Sequence, residues 1–81
     1  MPNPYFDVVD VQVLDDWELK LRFEDGSLKI FDFKPLLSEE LYAPLRNPGL
    51  FKHADIRCGG VAWTDEIDIA PEFLYEHGVD V

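Results

Sequence analysis

The stretch that decides the fold is a hairpin sequence, Trp17-Glu-Leu-Lys-Leu-Arg-Phe-Glu-Asp-Gly26. Its apolar and charged residues alternate without an error, which is the pattern of a β-strand with one buried face. The apolar set is Trp17, Leu19, Leu21 and Phe23. Asp25-Gly26 follows as a turn signal, because both residues tolerate the positive φ of a tight two-residue loop.

A two-residue loop determines which residues of the next strand face the core. Phe23 then lies opposite Leu28, and Lys20 lies opposite Phe31. This register leaves Phe31 and Phe33 on the outer face of the sheet, where large aromatic side chains are not expected in contact with water. We therefore predict that helices cover part of that outer face as well.

The flanking segments add a strand and several short helices. Residues 8–14 alternate as an N-terminal strand. Three of its valines are predicted to share one face: Val9, Val11 and Val13. Short helices follow between residues 34 and 53, and proline's fixed φ suits the first turn of a helix. Their predicted starting residues are Pro35, Pro44 and Pro48. Asn47 is the predicted cap of the third helix.

The C-terminal half contains a second hairpin and a last helix. Gly59-Gly60 is the predicted hairpin loop, which sets Cys58 opposite Val61, and Ile56 opposite Trp63, with these side chains facing the core. The helix runs from Pro71 to His77 and is closed by Gly78. The predicted fold is α+β: a small single domain over residues 1–81, with an antiparallel sheet of about five strands (two hairpins plus an N-terminal strand) and short helices packed on it.

Composition narrows the class of protein. The chain has 81 residues, of which 47% are hydrophobic, so it can form one small core. No apolar run reaches the roughly 18 residues that span a bilayer, and the first residues lack the basic start of a signal peptide. The single cysteine excludes an internal disulfide and a thiolate metal cluster. We expect a cytoplasmic protein without a cofactor.

The net charge of −10 is concentrated at the two ends of the chain. Residues 1–16 contain four acids and residues 65–81 contain six, and neither segment contains a lysine or arginine. Such a potential repels phosphate backbones, which argues against direct binding of nucleic acid. It would attract a small basic protein, although acids that only keep a small domain soluble explain the same pattern.

Asp65, Glu66 and Asp68 form the one tight carboxylate cluster in a predicted loop. Oxygen ligands of this kind suit a hard divalent cation, but the glycine and the closing glutamate of a calcium loop are missing. The preferred interpretation is that Asp68 caps the helix that begins at Pro71.

Other reactive side chains do not form a recognisable catalytic arrangement. Trp17 and Trp63 fit core positions, and Cys58 is expected to be a buried, inert thiol. His53 and His77 each come late in a short predicted helix, where an imidazolium suits the negative end. The chain has no glycine elbow and no phosphate-binding loop. We therefore expect no enzymatic activity.

Four residue sets, taken in order, resemble the bacterial family called domain of unknown function 2442 over about residues 8–76. They are Leu19–Gly26, Phe31–Leu37, Pro44-Leu45 with Phe51, and Trp63 with Asp68–Pro71 and Leu74-Tyr75. The resemblance implies a compact α+β domain with an antiparallel sheet. Some similar proteins carry an added helix-turn-helix domain, and others are encoded beside small proteins of another uncharacterised family, which implies antitoxin-like pairing.

This chain departs from the family pattern in two places. Many relatives have Pro-Asn-Gly after the tryptophan, whereas Thr64, Asp65 and Glu66 follow Trp63 here, and this alters the chemistry of the loop. Because the sequence ends at Val81, we expect no helix-turn-helix domain to follow.

The leading hypothesis is a non-catalytic protein-interaction domain, the antitoxin-like or regulatory half of a two-protein bacterial module. Its predicted partner-contact residues are Asp65, Glu66, Asp68, Glu72 and Glu76. Self-pairing through an edge strand at residues 8–14 is a further expectation, since unpaired strand edges invite dimerisation. The alternative hypothesis is a carboxylate-based divalent-metal or hydrolytic site at Asp65, Glu66 and Asp68.

Overall fold

The computed structural model describes residues 7–81, which form two antiparallel sheets joined by short helices. The first sheet has the order β1-β2-β3-β7, and the second has the order β4-β5-β6. The strands are β1 (Val8–Val13), β2 (Glu18–Phe23), β3 (Leu28–Asp32), β4 (Asp55–Arg57), β5 (Gly60–Ala62), β6 (Asp68–Ile69) and β7 (Val79–Asp80). The predicted α+β class with antiparallel strands and short helices is confirmed, with the strands divided over two sheets.

The helical segments lie between β3 and β4 and between β6 and β7. They are two 3-10 helices (Lys34–Ser38 and Glu40–Arg46), α1 (Pro48–Phe51) and α2 (Pro71–His77). The predicted cap of α1 is confirmed, because the Asn47 side chain accepts a hydrogen bond from the Gly49 N–H at 2.9 Å. Pro44 lies inside the second 3-10 helix and does not begin a helix, so that prediction was wrong.

The loop of the first hairpin has three residues, and the two-residue prediction was wrong. The Gly26 N–H donates to the Phe23 carbonyl (2.9 Å), and the Phe23 N–H donates to the Ser27 carbonyl (3.0 Å). Gly26 has a φ of 87°, a left-handed conformation that completes a type I turn with a bulge. The pairing shifts by one residue as a result, so that Leu21 lies opposite Lys29 and Leu19 lies opposite Phe31.

This register moves Phe31 and Phe33 from the predicted outer face into the core, where both are buried. Four aromatic rings lie within 6.0 Å of the Phe33 ring centroid. They belong to Phe31, Tyr42, Phe51 and Trp63. No described element covers the opposite face of the sheet, where Arg22, Leu28 and Asp32 are exposed. The prediction that helices cover both faces was therefore wrong for residues 7–81.

A β-bulge in β1 changes the predicted pattern of its valines. The pairing with β2 is irregular between Val8 and Asp10, so Val8 is buried and Val9 is exposed. Val11 and Val13 pack against the core as predicted. The Val8 N–H donates to the Gly59 carbonyl at 2.7 Å, and this bond ties the first sheet to the second hairpin.

The second hairpin turns at Cys58-Gly59, so the predicted Gly59-Gly60 loop was wrong. Arg57 lies opposite Gly60 and Ile56 lies opposite Val61, while Cys58 and Gly59 have φ values of 52° and 81°. A type I′ turn requires positive φ at both central residues. Gly60 is needed in β5 instead, because a Cβ there would overlap the backbone carbonyl of Ile69. Cys58 is consequently exposed and does not face the core.

The C-terminal helix has the predicted bounds, Pro71–His77, with Gly78 after it. Gly78 has a φ of −71°, so its role is not to provide left-handed backbone. A Cβ at this position would lie 2.8 Å from the Leu74 carbonyl oxygen and 3.0 Å from the Lys29 Cβ. The glycine therefore lets the chain pass close to β3 before it pairs as β7.

Lys29 is a charged residue on the core face of the sheet. Its Nζ lies 2.7 Å from an oxygen of Asp80 and 4.7 Å from the centre of the Tyr75 ring. The Tyr75 hydroxyl in turn donates to Asp25 at 2.7 Å. An amine buried at this depth needs such partners, so this cluster attaches β7 and α2 to the first hairpin.

We expect Phe33→Ala to lower the free energy of unfolding by about 3–5 kcal/mol, because it leaves a cavity among packed aromatic rings. Domains of this size are stable by only about 4–12 kcal/mol, so the loss is a large fraction of the total. Urea unfolding of the variant measures it. Phe73→Ala is the matched control and should cost about 1 kcal/mol, since Phe73 is exposed. Equal losses for the two variants would contradict the described core.

Tyr75→Phe should destabilise the protein at neutral pH and much less in acid. Hydrogen bonds from the Tyr75 hydroxyl and then from Ser27 lower the pKa of Asp25 below its usual 3.8. A carboxyl group with a lower pKa in the folded state contributes stability that is complete above 3.8 and is lost as the pH falls through the folded value. Urea midpoints of the variant and the natural chain should therefore converge in acid.

Tyr42→Phe is the control for this titration, because the Tyr42 hydroxyl bonds to the main-chain carbonyl of Asp68, which does not titrate. Its effect on the urea midpoint should not share the acid dependence of Tyr75→Phe. A constant difference between Tyr75→Phe and the natural chain from neutral pH to strong acid would refute the role of Asp25.

Candidate functional site

Helix α2 carries three consecutive large side chains, Phe73, Leu74 and Tyr75. Successive residues of a helix point about 100° apart, so the three cannot all face one core. Leu74 is fully buried and Tyr75 packs against the core, whereas Phe73 is 39% exposed. Phe73 is therefore the large apolar side chain that α2 presents to the surface.

Phe73 borders two shallow grooves, each with a volume of about 270 Å³. The first groove is lined by Leu36, Glu39, Tyr42, Asp68, Ile69, Ala70 and Phe73. The second is lined by Phe31, Asp32, Pro35, Leu36, Phe73, His77 and Val79. Phe73 and Leu36 line both grooves, so they form a shared apolar wall, and we call this surface the Phe73 site.

Carboxylates lie at the rim of the Phe73 site. Glu39 and Asp68 border the first groove, and Asp32 borders the second, where it pairs with Lys34 at 3.0 Å. Burial, followed by the charges of Glu39 and Asp68, raises the pKa of Tyr42. The negative potential of Glu39 and Asp68 therefore extends into the first groove, next to the apolar wall of Phe73 and Leu36.

The five predicted contact residues are spread over the chain from Asp65 to Glu76. Asp65 and Glu66 lie in the exposed loop between β5 and β6, and Asp65 pairs with Arg57 at 3.0 Å. Asp68 lies on β6, while Glu72 and Glu76 lie on α2. Of the five, Asp68 is the one that lines the Phe73 site. Their role in partner contact stays a prediction.

Asp68 does not cap α2, and that interpretation was wrong. The N-cap position belongs to Ala70 and carries no side-chain hydrogen bond. Asp68 instead pairs with Ala62 in the second sheet. Because successive residues of a strand point to opposite sides, the burial of Ile69 turns the Asp68 carboxylate outward to solvent.

The alternative hypothesis, a metal site at Asp65, Glu66 and Asp68, requires ligands that converge on one point. Within residues 7–81, no three side chains of His, Cys, Asp or Glu converge on one point. The nearest cationic partner of Asp65 is the Arg57 guanidinium, which competes with a cation for that carboxylate. Asp65, Glu66 and Asp68 are close in sequence but therefore do not form a shared metal site.

The two tryptophans have their indole N–H groups satisfied by main-chain carbonyls. Trp63 is buried as predicted and donates to Phe51 at 2.9 Å. Trp17 is half-buried, donates to Leu45 at 2.8 Å, and lines a groove of about 340 Å³ together with Val13 and Pro48. Both indoles thus have a structural role, and Trp17 also contributes to a surface depression.

Sequence reasoning located the acidic segment but missed Phe73 and Leu36. The run Phe73-Leu-Tyr75 on a two-turn helix was the available signal, because one of its three side chains must lie outside the core. Leu36 carried no comparable signal. Its position depends on how a 3-10 helix packs on β3, which local sequence does not specify.

Two antiparallel sheets around one aromatic core, with short helices between them, define a small α+β domain. The protein belongs to the family described as protein of unknown function (DUF2442), whose sequence profile matches residues 8–80. The resemblance found in the sequence is thereby confirmed over nearly the whole chain. No curated protein and no solved structure shows a significant match. Within residues 7–81, none of the helices has the length and apolar character needed to cross a membrane.

The exposed position of Cys58 predicts a fast-reacting thiol. A disulfide reagent added to the folded protein should modify Cys58 at about the rate of an unhindered cysteine. Absorbance of the released chromophore measures this rate. The same reaction in urea is the control for full access. Modification that occurs only after unfolding would show that the thiol is buried, contrary to the turn described above.

Proposed function

We propose that this protein is a non-catalytic interaction domain that docks a small basic protein on the Phe73 site. The observation that carries the proposal is the exposed Phe73 ring between two grooves whose rim holds Glu39 and Asp68. Apolar anchors surrounded by polar rims are typical of protein interfaces, in which a few aromatic side chains supply most of the affinity.

Charge supports a basic partner over an acidic one. The segment from residue 65 to residue 76 contains no lysine or arginine. Its acids are Asp65, Glu66, Asp68, Glu72 and Glu76. Three of the bases in residues 7–81 are engaged in ion pairs: Lys29, Lys34 and Arg57. A negative surface of this kind raises the association rate of a basic partner and orients it. The apolar contact determines the dissociation rate of the complex.

Similar proteins of the family suggest a biological role for this proposed interaction. Some similar proteins are encoded beside small proteins of another uncharacterised family, and this arrangement supports our proposal that the domain is the antitoxin-like or regulatory half of a two-protein bacterial module. The proposed location is the cytoplasm. On this proposal Phe73 enters a cavity of the partner, and the acids from Asp65 to Glu76 contact basic residues around it.

The proposal is tested by affinity capture from the native cells at low salt, followed by titration calorimetry with the purified captured protein. Phe73→Ser should weaken binding by at least about tenfold, since an apolar anchor is lost. The charge variant is Asp65→Asn, Glu66→Gln and Asp68→Asn. It should also weaken binding, and the natural complex should dissociate in about 0.5 M NaCl because of screening.

The control variant removes the same charge elsewhere, by Asp10→Asn, Asp15→Asn and Glu24→Gln. These acids are exposed and lie outside the Phe73 site. A partner that is lost with the site variants and kept with this control supports the proposal. Equal loss in both charge variants would show that net charge alone matters. A partner unaffected by Phe73→Ser would place the interface on another surface.

A further inference from the structure

The outer face of the first sheet carries an apolar stripe on β3 and β7. Ile30 lies opposite Val79, and the Val81 N–H continues the register by donating to the Leu28 carbonyl at 3.1 Å. Lys29 and Asp80 alternate with these residues and meet on the core face, so the four apolar side chains point to the opposite face. The stripe is Leu28, Ile30, Val79 and Val81.

Of the four stripe residues, Ile30 is half-buried and the other three are exposed. Leu28, Val79 and Val81 are 41%, 69% and 73% exposed. The buried cluster, which includes residues of both helices and of the second sheet, lies on the other side of β2 and β3. Apolar side chains of adjacent strands that remain so exposed mark a surface that another molecule covers.

The charges beside the stripe are mixed, unlike those at the two ends of the chain. Lys20 lies opposite Ile30, and Arg22 lies opposite Leu28. Neither base forms an ion pair with any part of the chain that the structure describes. Three acids share the face: Asp10 opposite Arg22, and Glu18 opposite Asp32.

This mixture of charges favours one occupant. Asp32 is paired with Lys34 at 3.0 Å, so Lys20 and Arg22 are balanced by Asp10 and Glu18, and the face favours neither a basic nor an acidic partner. A second copy of the chain brings both signs of charge, so its bases can face the acids of the first copy across a two-fold axis. It also brings an identical apolar stripe.

We infer that two copies of this protein associate face to face through the outer side of the first sheet. The stripes of the two copies meet, and the sheets stack at the separation of about 10 Å that is usual for packed sheets. The stripe shares only Val79 with the Phe73 site, and the inference does not depend on the proposed function.

The edge of β1 is a poorer place for self-association. The Val8 N–H at one end is already bonded to Gly59. Asp10, Asp15 and Asp16 lie in a segment without a lysine or arginine, so pairing of two such edges brings acids together. The Leu14 N–H donates to Glu18 in β2, which by alternation leaves the Val13 N–H on the open side.

The size of the face determines how tight the dimer is. With strands about 4.8 Å apart, β1, β2 and β3 at about 18 Å long and β7 at about 7 Å cover a footprint on the order of 300 Å². Stable complexes bury about 800 Å² per partner. The dimer is therefore weak and reversible, with a dissociation constant of about 10–500 μM.

Sedimentation velocity from about 10 μM to about 1 mM tests the inference. The natural chain should shift from monomer to dimer over this range. Leu28→Thr with Val81→Thr replaces apolar groups of the stripe by hydroxyl-bearing side chains outside the Phe73 site, and should raise the dissociation constant by at least about tenfold. Leu41→Thr is the control, since Leu41 is 54% exposed on the second 3-10 helix, and should leave the dissociation constant unchanged.

The response to salt distinguishes this dimer from the proposed complex with a basic partner. Each copy has a net charge of −10, so screening by about 0.5 M NaCl reduces their overall repulsion and should strengthen the dimer. The same salt should weaken the complex with a basic partner. The Leu28 and Val81 variant lies outside both grooves of the Phe73 site and should still bind that partner, so either idea can fail while the other stands.

Three results would overturn the inference. The first is a monomer at every concentration in high salt, and the second is a dimer that the Leu28 and Val81 substitutions leave intact. The third is loss of the dimer on Val13→Pro, which removes an N–H on the open side of β1 without touching the stripe. That last result would assign the contact to the β1 edge.

Discussion

The left-handed backbone of Gly26 sets the pairing of β2 with β3, and the rest of the structure depends on that pairing. A loop of three residues puts Lys29 and Phe31 on the same face as Leu19 and Leu21. With a loop one residue shorter, every side chain of β3 would change faces. The aromatic cluster around Phe33 and the attachment of β7 through Lys29 both follow from this single turn.

A core on one side of the sheet leaves a small chain with apolar residues that it cannot bury. Domains of this size bury only about 60–65% of the surface that their unfolded chains expose. Apart from Val9 and Leu41, the large apolar side chains that are exposed lie at Phe73 or along the stripe on β3 and β7. These two surfaces differ in the charges that surround them. The first is bordered by acids, and the second by charges of both signs.

Elements specified by local chemistry could be predicted from the sequence, and those specified by register could not. The alternating residues from 18 to 23, the Asn47 cap and the helix from Pro71 to His77 depend on neighbours in sequence, and all are present. Asp25-Gly26 is compatible with loops of two or three residues, and Cys58-Gly59-Gly60 offers two positions for a tight turn. Which loop forms in each hairpin depends on contacts with β6 and α2. For the same reason the acidic segment could be located in advance, whereas which of Phe73, Leu74 and Tyr75 is exposed could not.

The ion pair between Lys29 and Asp80 joins residues that are 51 positions apart, and this spacing bears on synthesis of the chain. Until residues 79 and 80 have left the ribosome, β3 is an open edge strand and Lys29 lacks its carboxylate partner. Open edges are where nascent chains pair with the wrong strands. The first hairpin therefore leaves the ribosome as an unfinished sheet, and β7 closes its edge when it follows.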